Sequence, residues 1–273
     1  MEEYYQSNLK LWNEWTEIHK QTSGYGLEDF LKGGIRLHAL EREELGDVSG
    51  KSLLHLQCHF GLDTLSWARL GAQVTGVDFS DRAIALAREI AAQTGLPARF
   101  ICSPLLELPG VLDEQFDVVF TSYGVLYWLH DLEAWGRLVH RYLKPGGVFY
   151  IVELHPFSGI FEETEDGQEL RVTTPYFPRA EPMQFEVTGS YANPQAQVNH
   201  PVEFGWPHSL SEILNALLSA GLVIEYLHEF PYTVEPSFFP NLVEPVGERC
   251  WRLKKHADAV PLMFSLRAHR PGG

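Results

Sequence analysis

The chain has 273 residues, 45% of them hydrophobic, enough for one large α/β domain with an insertion or for two small domains. Lys and Arg number 21 against 36 Asp and Glu, a formal net charge of −15 that argues against binding nucleic acid through its phosphates and disfavours an anionic membrane surface. There is no membrane-length apolar run, the start Met1-Glu2-Glu3-Tyr4 lacks signal-peptide character, and Cys58, Cys102 and Cys250 suit reduced thiols, so a cytoplasmic location is expected.

Residues Gln6 to Lys20 have helical spacing, with Leu11, Trp12, Trp15 and Ile18 on one face, and Ile35 to Leu45 reads as a second helix. Residues 1–49 are therefore expected as a helical lid. Next comes Leu53 to Leu56, an apolar run, then the tight loop Gln57-Cys58-His59-Phe60-Gly61, a helical stretch to Leu70, and a second apolar run ending at Asp78. This β-α-β unit brings a helix N-terminus and a carboxylate to one crevice, a geometry used for adenosine-containing ligands. Ser80 caps a helix with Ala83, Ile84, Ala87, Ile90 and Ala91 inward and Gly95 at its end. Ala98 to Cys102 and Phe116 to Thr121 read as the third and fourth strands. Asp131 caps a helix stopped by Pro145-Gly146-Gly147, and Val148 to Val152 is the fifth strand.

After Pro156 the period changes to two. Asp166-Gly167 is a hairpin signal, and Met183, Phe185 and Val187 alternate with polar residues, so residues 156–208 are expected as an antiparallel insertion. Ser209-Leu210-Ser211-Glu212 fits a capping box for a helix, followed by strands at Leu222 to Phe230 and Val260 to Leu266. Residues 50–155 and 209–273 would form the main domain.

In this order the chain resembles the class I S-adenosylmethionine-dependent methyltransferases, in a bacterial small-molecule branch. The resemblance rests on Leu53 to Gly61 at the glycine-rich first motif, Gly76-Val77-Asp78-Phe79-Ser80 at the second strand, Phe116-Asp117-Val118-Val119 at the fourth, and Leu143-Lys144-Pro145-Gly146-Gly147 before the fifth. It implies a seven-stranded, mostly parallel Rossmann-like sheet with helices on both faces and an antiparallel insertion before the last two strands. It implies S-adenosylmethionine as cofactor, S-adenosylhomocysteine as product and a small-molecule methyl acceptor. Two departures stand out. His55, Gln57 and His59 replace the acid and two glycines of the first motif, and Pro104 replaces an adenine-binding acid, leaving the backbone of Leu105 or Ser103 for adenine.

Cofactor contacts are expected from Gln57, His59, Gly61, Asp63, Asp78, Phe79, Leu105, Ser122 and Tyr123, with Asp78 on the ribose hydroxyls. The plainer alternatives are a helix-capping role for Asp78, a turn role for Gly61 and a dipole role for Asp63. Tyr123, Tyr127 or Trp128 are candidates to face the sulfonium. Glu153, His155 and His208 are candidate bases, the alternative being hydrogen bonds that fix local structure. No metal is expected, since His55 and His59 lack a third ligand at recognisable spacing. Competing readings are a non-catalytic nucleoside- or partner-binding member of the fold, and a nicotinamide oxidoreductase, which the missing glycine triplet disfavours.

Overall fold

The computed structural model describes residues 1–272. Its helices are α1 (Glu2–Gln21), α2 (Leu27–Leu31), α3 (Ala39–Leu45), α4 (Leu62–Arg69), α5 (Asp81–Thr94), α6 (Leu132–Tyr142) and α7 (Leu210–Ser219). Its strands are β1 (Ser52–Leu56), β2 (Gln73–Asp78), β3 (Ala98–Cys102), β4 (Phe116–Ser122), β5 (Leu143–Leu154), β6 (Phe161–Glu163), β7 (Leu170–Val172), β8 (Met183–Glu186), β9 (Val202–Gly205), β10 (Val223–Phe230), β11 (Tyr232–Thr233), β12 (Val243–Gly247), β13 (Cys250–Leu253) and β14 (Met263–His269).

Seven strands form one sheet in the order β10-β14-β5-β4-β1-β2-β3. Strands β1 to β5 pair in parallel, and β14 runs antiparallel to both β5 and β10. The order reverses between β1 and β4, so the loops leaving their carboxyl ends open a crevice there. The expected seven-stranded, mostly parallel architecture is present, with helices against it.

Local chemistry explains the elements. Ser80 Oγ accepts from Ala83 N–H (3.0 Å) to start α5, whose face Ala83, Ile84, Ala87, Ile90 and Ala91 is buried, and Gly95 ends it in the left-handed region. Asp131 Oδ1 accepts from Ala134 N–H (2.8 Å) to start α6. Phe100 on β3 lies over two glycines: a Cβ on Gly76 would come 2.7 Å from its ring, and one on Gly61 2.6 Å. Close approach there draws the first loop down onto the sheet.

Several expectations need correction. Residues 35–38 are not helical, and α3 starts at Ala39 behind His38. The buried row of α1 includes Asn8, Leu11, Trp15 and His19, whereas Ile18 is only half-buried. Pro145-Gly146-Gly147 does not end α6. The helix stops at Tyr142, and residues 144–147 bulge out of a ladder that pairs Leu143 with Phe116 and Val148 with Val118. The capping box is half-formed: Ser209 Oγ accepts from Glu212 N–H, but the Glu212 carboxylate goes to His208. The last strand lies at Met263–His269 and not at Val260 to Leu266. The insertion is antiparallel as expected, in two separate hairpins, β6-β7 and β8-β9. An unforeseen three-stranded sheet, β11-β13-β12, stands between the last two strands of the main sheet. It packs Phe239, Leu242, Val243 and Leu253 with Leu262, against Phe161 and Leu170 of the first hairpin.

Candidate active site

The first loop keeps the backbone of a glycine-rich turn without the glycines. Gln57 (φ 57°) and His59 (φ 49°) are both left-handed, as is Gly61 (φ 75°). Each of the two side chains costs about 1–2 kcal/mol in that conformation, so the surroundings must hold the turn. Cys58 N–H donates to Val77 O (2.9 Å), Gly61 N–H to Cys58 O (2.9 Å), and His59 N–H to Asp78 Oδ2 (2.8 Å).

Asp78 thus ties the ends of β1 and β2 together. Its other oxygen, Oδ1, accepts from Ser80 N–H (2.9 Å). Burial pushes its carboxyl up to about 6, against these backbone hydrogen bonds, which favour the charged form. Each oxygen retains an acceptor lobe for a diol. Phe79 follows, half-buried against Tyr5 of α1 with ring centroids 5.3 Å apart. Ser103 N–H is taken by Asp78 O (2.9 Å), whereas Leu105 opens a 3-10 turn behind Pro104, where first-turn N–H groups lack intrahelical partners.

The two replacing side chains diverge. Gln57 Nε2 donates to Val125 O (3.0 Å) in the loop after β4, and its Oε1 has no protein partner. His59 turns to α1, with Nε2 3.0 Å from His19 Nδ1. Trp12, Trp15, Tyr25, Phe60 and Tyr191 surround this pair, and Trp128 packs edge-on to Trp12 behind them. His55 is buried and neutral, its ionisation pushed down to about 3 by burial, with Nδ1 2.8 Å from Thr64 Oγ1. It acts as a core residue.

On the β4 side, Ser122 Oγ donates to Asp63 Oδ2 (3.4 Å), and Tyr123 (φ 42°) sends its hydroxyl to Glu41 Oε1 (2.9 Å). Asp63 is pushed up by burial, while Arg249 and Arg36 pull it back. Glu41 is fully buried and pushed up to about 7, first by burial and then by Asp63. Arg249, at the turn between β12 and β13, donates to Arg36 O and His38 Nε2, each at 2.7 Å. Tyr127 packs flat on Gly205, and its hydroxyl donates to Glu203 (3.1 Å).

The three candidate bases are occupied by structural partners. Glu153 accepts from the backbone N–H groups of Gly124, Val125, Leu126 and Leu154. His155 places Nε2 2.9 Å from Glu229 Oε1 and receives Phe157 N–H at Nδ1 (3.0 Å). His208 lies between Glu212 Oε2 (3.0 Å) and Leu129 O (2.8 Å). These contacts tie the loop after β4 and the start of the insertion to neighbouring elements.

Sequence reasoning missed His19, Tyr25, Glu41, Arg36, Arg249 and Tyr191 as parts of this region. Only His19 carried a signal, one residue beyond the apolar row of α1. Among the described residues no group of three His, Cys, Asp or Glu is placed to hold a metal ion. Nor is any helix of theirs long and apolar enough to cross a membrane.

The methyltransferase-domain family matches residues 54–151. An uncharacterized methyltransferase of Synechocystis is 35% identical over 135 residues, covering 47% of this chain and 59% of its own length. A ubiquinone biosynthesis O-methyltransferase of Bordetella pertussis is 32% identical over 122 residues, covering 44% and 50%. The chain therefore spans about half the length of the curated relatives it matches. A solved S-adenosylmethionine-dependent methyltransferase from Mesorhizobium loti shares the fold with a TM-score of 0.61 at 24% identity, covering 88% of this chain and all of that one. Residues 54–151 thus match a methyltransferase domain, on a fold shared with solved S-adenosylmethionine-dependent methyltransferases.

The donor set fits that cofactor. A carboxylate closes the second strand, and Gln57 Oε1 and His59 Nδ1 of the first loop, with Trp12 Nε1 of α1, are buried without hydrogen-bond partners. Buried polar atoms without protein partners call for a polar ligand or water.

Proposed function

We propose that the protein transfers a methyl group from S-adenosylmethionine to a small-molecule acceptor in a cytoplasmic setting. The observation that carries this reading is the mutual grip of Asp78 and the left-handed turn at residues 57–61. It sets a buried carboxylate beside the helix N-terminus of α4. Asp78 would receive the ribose hydroxyls, with Phe79 and the Leu105 N–H beside the adenine. Gln57, Gly61, Asp63 and Ser122 would border the amino-acid end, with Tyr123 next to them.

When bound, the cofactor supplies a methyl group already activated by a sulfonium charge. The protein's part is alignment and the exclusion of water, which together contribute roughly 7–11 kcal/mol to such a step. Helix α1 supports a covering role. Asn13 bonds to Ser80 and Asp81, Trp15 Nε1 donates to Gly189 O (2.8 Å), and Asn8 exchanges two hydrogen bonds with Phe204. Residues 1–49 and 156–208 would thus close as one lid over the acceptor. The aromatic walls support a small, moderately apolar acceptor, in line with the ubiquinone-pathway name of the Bordetella relative.

A member that binds the nucleoside without turnover is the second reading, favoured by the occupied state of Glu153, His155 and His208. Asp78→Ala is expected to weaken S-adenosylmethionine binding at least about tenfold by calorimetry. Unchanged affinity would remove the ribose assignment. Binding without methyl transfer to any of a broad acceptor panel would favour the second reading.

A further inference from the structure

His59 and His19 form a continuous imidazole pair with an unpartnered nitrogen at each end. Nε2 of His59 stands 3.0 Å from Nδ1 of His19, while His59 Nδ1 and His19 Nε2 are buried without any protein partner. His19 itself is fully buried. Its ring stacks on Tyr25 with centroids 4.4 Å apart, and Trp12 lies edge-on to both His59 and Trp128. The pair joins the first loop to α1, on the side of the crevice reached by the segment after β4.

One proton must lie between the two facing nitrogens. In one of the two arrangements it sits on His59 Nε2, so His59 Nδ1 is a bare acceptor, His19 Nδ1 receives the bond, and His19 Nε2 carries the outer proton. Resting on the methyl-transfer reading above, we propose that this pair is the proton relay of the reaction and that the acceptor is a protic group, a hydroxyl or phenol, deprotonated by His59 Nδ1. As the acceptor oxygen bonds the methyl carbon, the carbon–sulfur bond breaks and its electron pair stays on sulfur. The acceptor proton passes to His59 Nδ1, the Nε2 proton of His59 passes to His19 Nδ1, and the Nε2 proton of His19 leaves to water. One proton is released per turnover, and both rings end neutral, in the other tautomer.

A relay of this kind suits its surroundings. Burial pushes the ionisation of His19 down to about 3, and burial with the neighbouring His19 lowers His59 as well. A resting imidazolium is therefore disfavoured, and a proton handed on without stopping avoids one. His59 would contact the acceptor, and His19 would act through it.

The test combines spectroscopy with two nucleophiles. In 15N-histidine-labelled protein, with signals assigned by their loss in His19→Gln and His59→Asn, His59 is expected to carry its proton on Nε2. A proton on His59 Nδ1 in the resting protein would overturn the relay. Catechol needs to lose a proton, whereas iodide does not. Both variants are expected to lower the catechol-to-iodide ratio of methylation rates about 100-fold, within the usual range for acid–base groups. S-adenosylhomocysteine affinity should change less than about threefold in His19→Gln. An unchanged ratio, or a wild-type protein that methylates iodide but no hydroxyl compound, would contradict the relay. Failure of the wild-type protein to bind S-adenosylhomocysteine would instead contradict the methyltransferase reading on which it rests.

Discussion

The central sheet and the segments that cover it obey different rules. In β1 to β5, each side chain is placed by its neighbours in sequence: alternation or apolar runs bury it, and Ser80 and Asp131 start the helices between. The covers, α1 to α3, the hairpins β6-β7 and β8-β9, and the small sheet β11-β13-β12, are placed by partners far along the chain. Trp15 meets Gly189, Tyr123 meets Glu41, and Arg249 meets Arg36 and His38. The crevice at Asp78 belongs to the first kind of structure, and the proposed acceptor side to the second.

If that division holds, damage to the sheet should cost folding, and damage to the covers should alter tuning. Gly61→Val is expected to be the most destructive change. It puts a β-branched residue at φ 75° and drives its Cβ toward Phe100. The left-handed penalty and the overpacking together amount to about 3 kcal/mol. Urea unfolding should show that loss, and a loss under about 1 kcal/mol would mean the turn is not held by close packing.

Glu41, on the cover side, should act through pH. Its folded carboxyl is raised from 4.5 to about 7, so the folded state holds this proton more tightly than the unfolded state. The associated stability is present in full below about pH 4.5 and is lost as pH rises to about 7. At roughly 1.4 kcal/mol per pH unit the difference is about 3–4 kcal/mol. Asp78 and Glu203 are raised as well, so the informative quantity is the wild-type curve minus that of Glu41→Gln. That difference should fall between pH 4.5 and 7, and a flat difference would mean Glu41 is not buried against Tyr123 as described.

The same division explains what could be read from the sequence. The strands, the α5 face, Gly61 and Asp78 were legible because spacing alone places them. The row of α1 was read one residue off, since Asn8 and His19 are polar and hydropathy turns the face toward Ile18 instead. The small sheet escaped notice because its strands are two to five residues long. Glu153, His155 and His208 were read as candidate bases because their residue types suit proton transfer and their positions fall at the ends of strands and loops. Their actual partners include Glu229, 74 positions from His155, and Leu129, 79 positions from His208, which no local pattern reports. The converse held for His19 and His59, whose pairing across 40 positions has no sequence signature.

A crystal structure of the complex with S-adenosylhomocysteine tests the account most directly. It should place both ribose hydroxyls within hydrogen-bond distance of the Asp78 carboxylate, with the adenine beside Phe79 and Leu105. A nucleoside bound outside the crevice between β1 and β4, or a ribose without contact to Asp78, would contradict it.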